Sequence, residues 1–217
     1  HLFLKHLNNQ VVNVIKPKTM RLRPFFPPPN LLQKWHQDFC KAEHTYEEVG
    51  QSKGEFPAGY DHDYNEIYLG EGQACFEKAR LAVREWYMFP RNWTRIYPWD
   101  APIVEGQVVM VLFRLFGSWW GNACRIIYTV DTADRFGFGY GTLKGHVEKG
   151  EEYFGVRMEA DGRVYYEVRA FSRPAVWLTR LTYPLPRLFQ RRFIRQSKAQ
   201  MQKRVTSLSS PTPALSS

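Results

Sequence analysis

The sequence lacks the features by which several protein classes are recognised. It has only three cysteines, Cys40, Cys75 and Cys124, widely spaced and without a Cys-x-x-Cys pair. That excludes a disulfide framework and a cysteine-rich zinc site, and it favours a reducing compartment, so cytoplasmic residence is expected. No apolar run approaches the ~18 residues a membrane-spanning helix needs. Residues 1–19 have no continuous hydrophobic stretch leading to a small-residue cleavage site, so no secretory signal is expected. No internal repeat points to a propeller or solenoid. Phosphate-binding fingerprints are also missing. Gly70-Glu71-Gly72 precedes a helical segment but has Cys75 where a third glycine belongs, and the Gly137/Gly139 pair leads into more loop and strand.

What is present is a chain of 217 residues, 44% hydrophobic and 16% aromatic. A single domain of this size buries roughly 70% of its unfolded surface and needs no covalent staple. The net charge is +9, but it is unevenly placed. Lys5, Lys16, Lys18, Arg21, Arg23 and Lys34 give the first 37 residues +6 with no acid. Arg180, Arg187, Arg191, Arg192, Arg195, Lys198, Lys203 and Arg204 give the last segment +8, leaving the middle at −5. Basic ends on an acidic centre are a poor footprint for a dedicated nucleic-acid binder, and no specific nucleic-acid partner is expected. A basic C-terminal helix remains a candidate for peripheral contact with an anionic membrane.

Pro24 and Pro27 to Pro29 mark an extended connector. Leu31–Phe39 reads as a short helix and Glu66–Leu69 as a short strand. Gln73–Met88 reads as a helix in which Phe76, Ala79, Val83 and Tyr87 recur at helical spacing. From Thr94 the period becomes alternating. The nearly all-apolar run Val108–Phe116 predicts a strand buried on both faces, and Ala123–Val130 follows it. Residues 151–159 and 163–171 flank Ala160-Asp161-Gly162, the signal of a tight hairpin. In its second strand Val164, Tyr166, Val168 and Ala170 are expected to face the core. Ala175–Tyr183 and Arg187–Arg204 read as helical, interrupted by Pro184 and Pro186, with Phe189, Phe193 and Met201 on one stripe. The fold class is therefore α+β: a curved antiparallel sheet gripping a long C-terminal helix, a single domain with an internal apolar cavity.

Residues 136–154, from Phe136 through Gly137, Gly139, Tyr140, Gly141, Gly145 and His146 to Phe154, resemble the signature of the domain-of-unknown-function 1990 family, the UPF0548-like proteins. Matching pieces lie at residues 46–50, 57–60, 69–72 and 86–90 upstream, and at 170–174 and 187–190 downstream. The resemblance implies a single intracellular domain whose sheet encloses a ligand, and it brings no settled reaction. Lys144 and Val147 stand where prolines are expected in that family's loop, which leaves the loop less constrained. The chain then divides into an N-terminal arm and Pro-rich connector over 1–44, the family-like domain over 45–205 and a disordered tail over 206–217.

Within the signature, His146, Glu148, Glu151 and Glu152 gather an imidazole and three carboxylates within seven residues. A metal site would use such ligands, but one His is incomplete, and strand alternation sends Glu151 and Glu152 to opposite faces. The bland alternative pairs Glu151 or Glu152 with Arg125 or Arg169 while His146 caps the glycine turn. The sharper one is acid–base chemistry, with His146 titrating near neutrality and a desolvated carboxyl of raised pKa. The candidate catalytic set is His146, Glu148, Glu151, Glu152 and Tyr140, with no metal. Arg125, Trp119, Trp86, Arg173 and Ser172 are the candidates for holding substrate; Arg173 alternatively only ties a helix to the sheet. The expected function is a cofactor-independent isomerase, cyclase or dehydratase acting on a small apolar metabolite of specialised metabolism. The alternative is a non-catalytic carrier or sensor of a lipid-like ligand. The oligomeric state is left unassigned.

Overall fold

The computed structural model describes residues 21–175 and 184–207. Along the chain lie β1 (Arg21–Arg23), α1 (Pro29–Cys40), a 3-10 turn (Gln51–Lys53), β2 (Asp61–Glu71) and α2 (Gly72–Arg84). Then follow β3 (Thr94–Tyr97), β4 (Val108–Leu115), β5 (Ser118–Asp131), β6 (Arg135–Thr142), β7 (Glu148–Met158), β8 (Arg163–Pro174) and α3 (Pro184–Ser207). The strands form one antiparallel sheet in the order β2-β8-β7-β6-β5-β4-β3, with β1 paired to the start of β5. The chain is thus an α+β single domain, a curved open sheet with a long C-terminal helix.

Alternation decides which face each strand buries. Val109 and Val111 of β4 join the main core, while Val108, Met110 and Leu112 pack with Leu32, Trp35 and Phe39 of α1 on the other face. This two-sided burial explains the unbroken apolar run in β4. In β8, Val164, Tyr166 and Val168 are buried beneath Phe76, Ala79 and Val83 of α2 and Met201 and Val205 of α3. The hairpin between β7 and β8 turns at Gly162, whose φ is +85°, and Gly162 N–H donates to Glu159 O.

Several boundaries differ from expectation. The segment from Phe136 to Gly141, to which the sequence assigns no element, is strand β6. Phe136, Phe138 and Tyr140 enter the core, and Gly137, Gly139 and Gly141 form a flat outer track beneath the rings of Tyr153, Tyr128 and Tyr46. Any Cβ there would overlap those tyrosines, so close approach and not positive φ is what requires glycine; within the signature, Gly145 and Gly150 take positive φ. Helix α2 stops at Arg84 because Trp86 adopts φ +56°, which turns its indole into the core. The described part of α3 begins at Pro184, three residues before the expected start at Arg187, and proline in a first turn removes no helical hydrogen bond. The helix expected over residues 175–183 lies outside the described residues from 176 onward. The N-terminal arm does so up to residue 20, and the tail from 208.

Candidate functional site

A cavity of about 860 Å³ lies between the inner face of the sheet and α3. Its walls include Phe89, Trp93, Phe113, Trp120, Val168 and Phe193, so most of the surface is apolar. Polar groups enter it mainly from β7. Glu148, Gly150 and Glu152 are alternate residues of that strand and all border the cavity; between the two glutamates Gly150, at φ +147°, lies so close to β8 that a Cβ there would meet the Phe171 carbonyl. Tyr140, directly opposite Glu152 on β6, donates its hydroxyl to Glu152 Oε2 at 2.9 Å. Glu148 Oε1 accepts from Gln190 Nε2 of α3 at 2.7 Å. Gln190 Oε1 in turn accepts from Arg187 Nη1 at 3.3 Å, and Arg187 pairs with Asp63 of β2 at 2.6 Å. One polar chain therefore runs from the edge strand through the helix to the cavity carboxyl.

Burial sets the protonation of these groups. Glu152 is pushed up to about 8, first by burial and further by Glu148 and Asp63, against the stabilising bond from Tyr140. Glu148 is pushed up to about 7, again mainly by burial, with the Gln190 bond and Arg187 opposing. Burial likewise lifts the Tyr140 hydroxyl well above its ordinary value, so it remains a donor. His146 is driven down to about 4 by burial. Its Nδ1 accepts the Glu148 N–H at 3.0 Å, which assigns the hydrogen to Nε2 and makes the ring a neutral donor. Near neutral pH the site thus holds one protonated carboxyl, one carboxyl close to half-ionised and two neutral donors. That combination can give a proton at one point and take one at another.

The sequence-derived candidates are distributed as follows. His146, Glu148, Glu151, Glu152, Tyr140 and Ser172 all border the cavity, although the Glu151 carboxylate itself is engaged elsewhere. His146 does not titrate near neutrality, because it is buried without a carboxylate partner. Glu151 turns its carboxylate to the outer face, where it accepts from Tyr46 OH at 2.9 Å, Gly50 N at 2.5 Å and Ser52 N at 2.9 Å. It latches the 46–52 loop to the sheet and does not pair with Arg125 or Arg169. Arg125 also lies outside the cavity, donating to Cys40 O and Ala42 O at 3.0 Å each. Arg173 sits over the Tyr60 ring at 4.3 Å. Trp86 is core, its indole N–H donating to Ala101 O at 2.9 Å. Trp119 meets Phe26 edge-on at 4.9 Å, while its neighbour Trp120 faces the cavity, as alternation along β5 requires.

Sequence reasoning missed Gln190, Arg187 and Asp63, as well as Asn122 and Thr142 on the cavity wall. One signal was available: Asp61, Asp63 and Asn65 alternate through β2, so a polar stripe faces inward from an edge strand. Among the described residues no three His, Cys, Asp or Glu side chains converge on a metal position. Nor is any described helix long and apolar enough to cross a membrane.

The family model described as "Domain of unknown function (DUF1990)" matches residues 45–200, the stretch holding every group of this site. The chain belongs to the DUF1990 family. Among its relatives, a UPF0548 protein of Dictyostelium discoideum is 41% identical over 162 residues, covering 69% of this chain and 75% of that protein. A UPF0548 protein of Deinococcus radiodurans is 38% identical over 160 residues, covering 68% and 80% respectively. Among solved structures, a hypothetical protein from Helicobacter pylori is similar with a TM-score of 0.49 at 12% identity, covering 78% of this DUF1990 chain and 100% of the other.

Proposed function

We propose that the cavity is the active site of an enzyme that isomerises, cyclises or dehydrates a small apolar metabolite by proton transfer through its own side chains. The observation that carries this reading is the Tyr140–Glu152 pair facing Glu148 inside an apolar cavity, where burial keeps a carboxylic acid protonated near neutrality. Glu152 donates a proton to a substrate oxygen or double bond. Glu148, with its pKa near 7, takes a proton from carbon or returns one, and Tyr140 and His146 orient the substrate as neutral donors. With substrate filling the space between them, the aromatic walls leave no room for water at the reacting carbon, which keeps a carbocation or enol from being trapped. Glu148 and Glu152 thus take the proton-shuttling role that the sequence shared between His146 and a glutamate.

The test is incubation of a metabolite extract with the wild-type protein and with Glu152→Gln, followed by mass spectrometry. Loss of one compound as an isobaric or water-deficient product appears, with Glu152→Gln at least about a hundredfold slower, is the expected result. Stoichiometric retention of one compound by both proteins without product would instead establish a carrier. Full turnover by Glu152→Gln would remove Glu152 from the mechanism.

A further inference from the structure

Helix α3 carries seven cations from Arg187 to Arg204 and no acid. Three are committed within the fold. Arg187 pairs with Asp63 at 2.6 Å, Arg192 lies over the Trp93 ring at 4.9 Å, and Arg204 pairs with Glu85 at 2.8 Å. Arg191, Arg195 and Lys198 stand at i, i+4 and i+7 on one face of the helix and border the cavity. Among the described residues, none of the three has an ion pair or hydrogen-bond partner. Every acid that borders the cavity is engaged elsewhere: Asp63 by Arg187, Asp61 by a contact of its own, Glu148 by Gln190, Glu151 by the 46–52 loop and Glu152 by Tyr140. The cavity therefore joins an apolar interior to a wall of uncompensated positive charge.

We infer that the molecule held in this cavity is an amphiphile: an apolar body ending in one oxyanion head, a carboxylate or a phosphate monoester, bound by Arg191, Arg195 and Lys198. The inference rests on the cavity being the binding site proposed above. The apolar body lies against Phe89, Phe193 and Val168, and the head stays at the α3 wall, where two guanidinium forks suit the planar or trigonal array of anionic oxygens. Burial keeps Glu152 protonated near neutral pH, and the partial charge on Glu148 is held by Gln190 away from the three cations, so the head is placed at the α3 wall and not beside the glutamates. A membrane surface is a poorer occupant for this charge, because of the four uncommitted cations only Lys203 does not border the cavity.

The test uses the full chain and its cavity tryptophans, Trp93 and Trp120, as fluorescence reporters. The probes are dodecanoate, dodecyl phosphate, 1-dodecanol and dodecyltrimethylammonium, each as monomers at low salt. The two anions are expected to bind about tenfold tighter than the alcohol, the sum of three partly exposed charge contacts, and the alkylammonium weakest. The triple variant Arg191→Gln/Arg195→Gln/Lys198→Gln should lose that tenfold for the anions and keep the affinity for dodecanol. The order of dodecanoate and dodecyl phosphate identifies the head. Equal affinity for dodecanol and the anions, or an anion preference intact in the variant, overturns the inference and leaves the cavity reading standing. Binding of no probe overturns both. A response to anionic vesicles alone overturns it in favour of a surface role.

Discussion

The protonated carboxyl at Glu152 makes stability and chemistry measurable together. Its pKa rises from 4.5 to about 8 on folding. Between those values the folded state holds a proton that the unfolded chain releases, so stability is full below about pH 4.5 and falls as pH rises towards 8. The rise corresponds to at most about 5 kcal/mol. Glu152 borders open cavity space, and water entering that space lowers the effect to about 2–4 kcal/mol. Glu152→Gln keeps the shape and the bond from Tyr140 but cannot ionise. Urea unfolding of both proteins at pH 5, 7 and 9 should therefore show the wild type losing about 2–4 kcal/mol relative to the variant across the series, with the steepest change between pH 5 and 8. Taking the difference between the two proteins cancels the titrating groups that do not interact with Glu152; Glu148, which does, stays in the difference as part of a coupled pair. Parallel pH curves would refute the claim that Glu152 is desolvated, and with it the acid role.

Gly139→Ala should destabilise by about 1–3 kcal/mol in thermal unfolding, because its Cβ meets the Tyr128 ring; an unchanged melting temperature would mean the ring is not seated on that strand. Glu151→Gln weakens a charged acceptor shared by Tyr46, Gly50 and Ser52, at a cost of about 1–3 kcal/mol. Amide hydrogen exchange should rise across residues 46–52 while binding of dodecanol in the cavity holds; protection that stays unchanged would argue against the latch. Arg125→Gln and Trp86→Phe should each lose about 1–2 kcal/mol of stability through their backbone hydrogen bonds and leave turnover of an identified substrate intact. Loss of turnover at full stability would return either residue to the site.

Local patterns were legible wherever one residue's environment followed from its neighbours in sequence. The hairpin at Asp161-Gly162 needs only a positive φ, and the apolar run of β4 needs only two covered faces. Strand β2 was read as four residues instead of eleven because its inner positions, Asp61, Asp63 and Asn65, are polar. They face the cavity and α3 and not a dry core, so the hydrophobic alternation that marks a strand is absent. The glycines of β6 give no strand signal for a related reason. Their partners are tyrosines distant in sequence, and the requirement for a flat track appears only once those rings are in place.

The sequence by itself determined the α+β class, the family, the richness in aromatic residues and the segment carrying the reactive groups, since composition, motif and period are properties of the chain. It also determined that Glu151 and Glu152 part company, because strand alternation is local. Tertiary structure alone decided which carboxyls share a space. Glu148 and Glu152 meet the cavity because α3 closes over β7, and their protonation follows from the desolvation that closure imposes. The same closure leaves His146 neutral, and the packing of α1 on the outer face brings the Cys40 and Ala42 carbonyls to Arg125, which alternation along β5 turns away from the cavity. Desolvation and convergence are sums over residues far apart in the chain, so neither is written in any one segment.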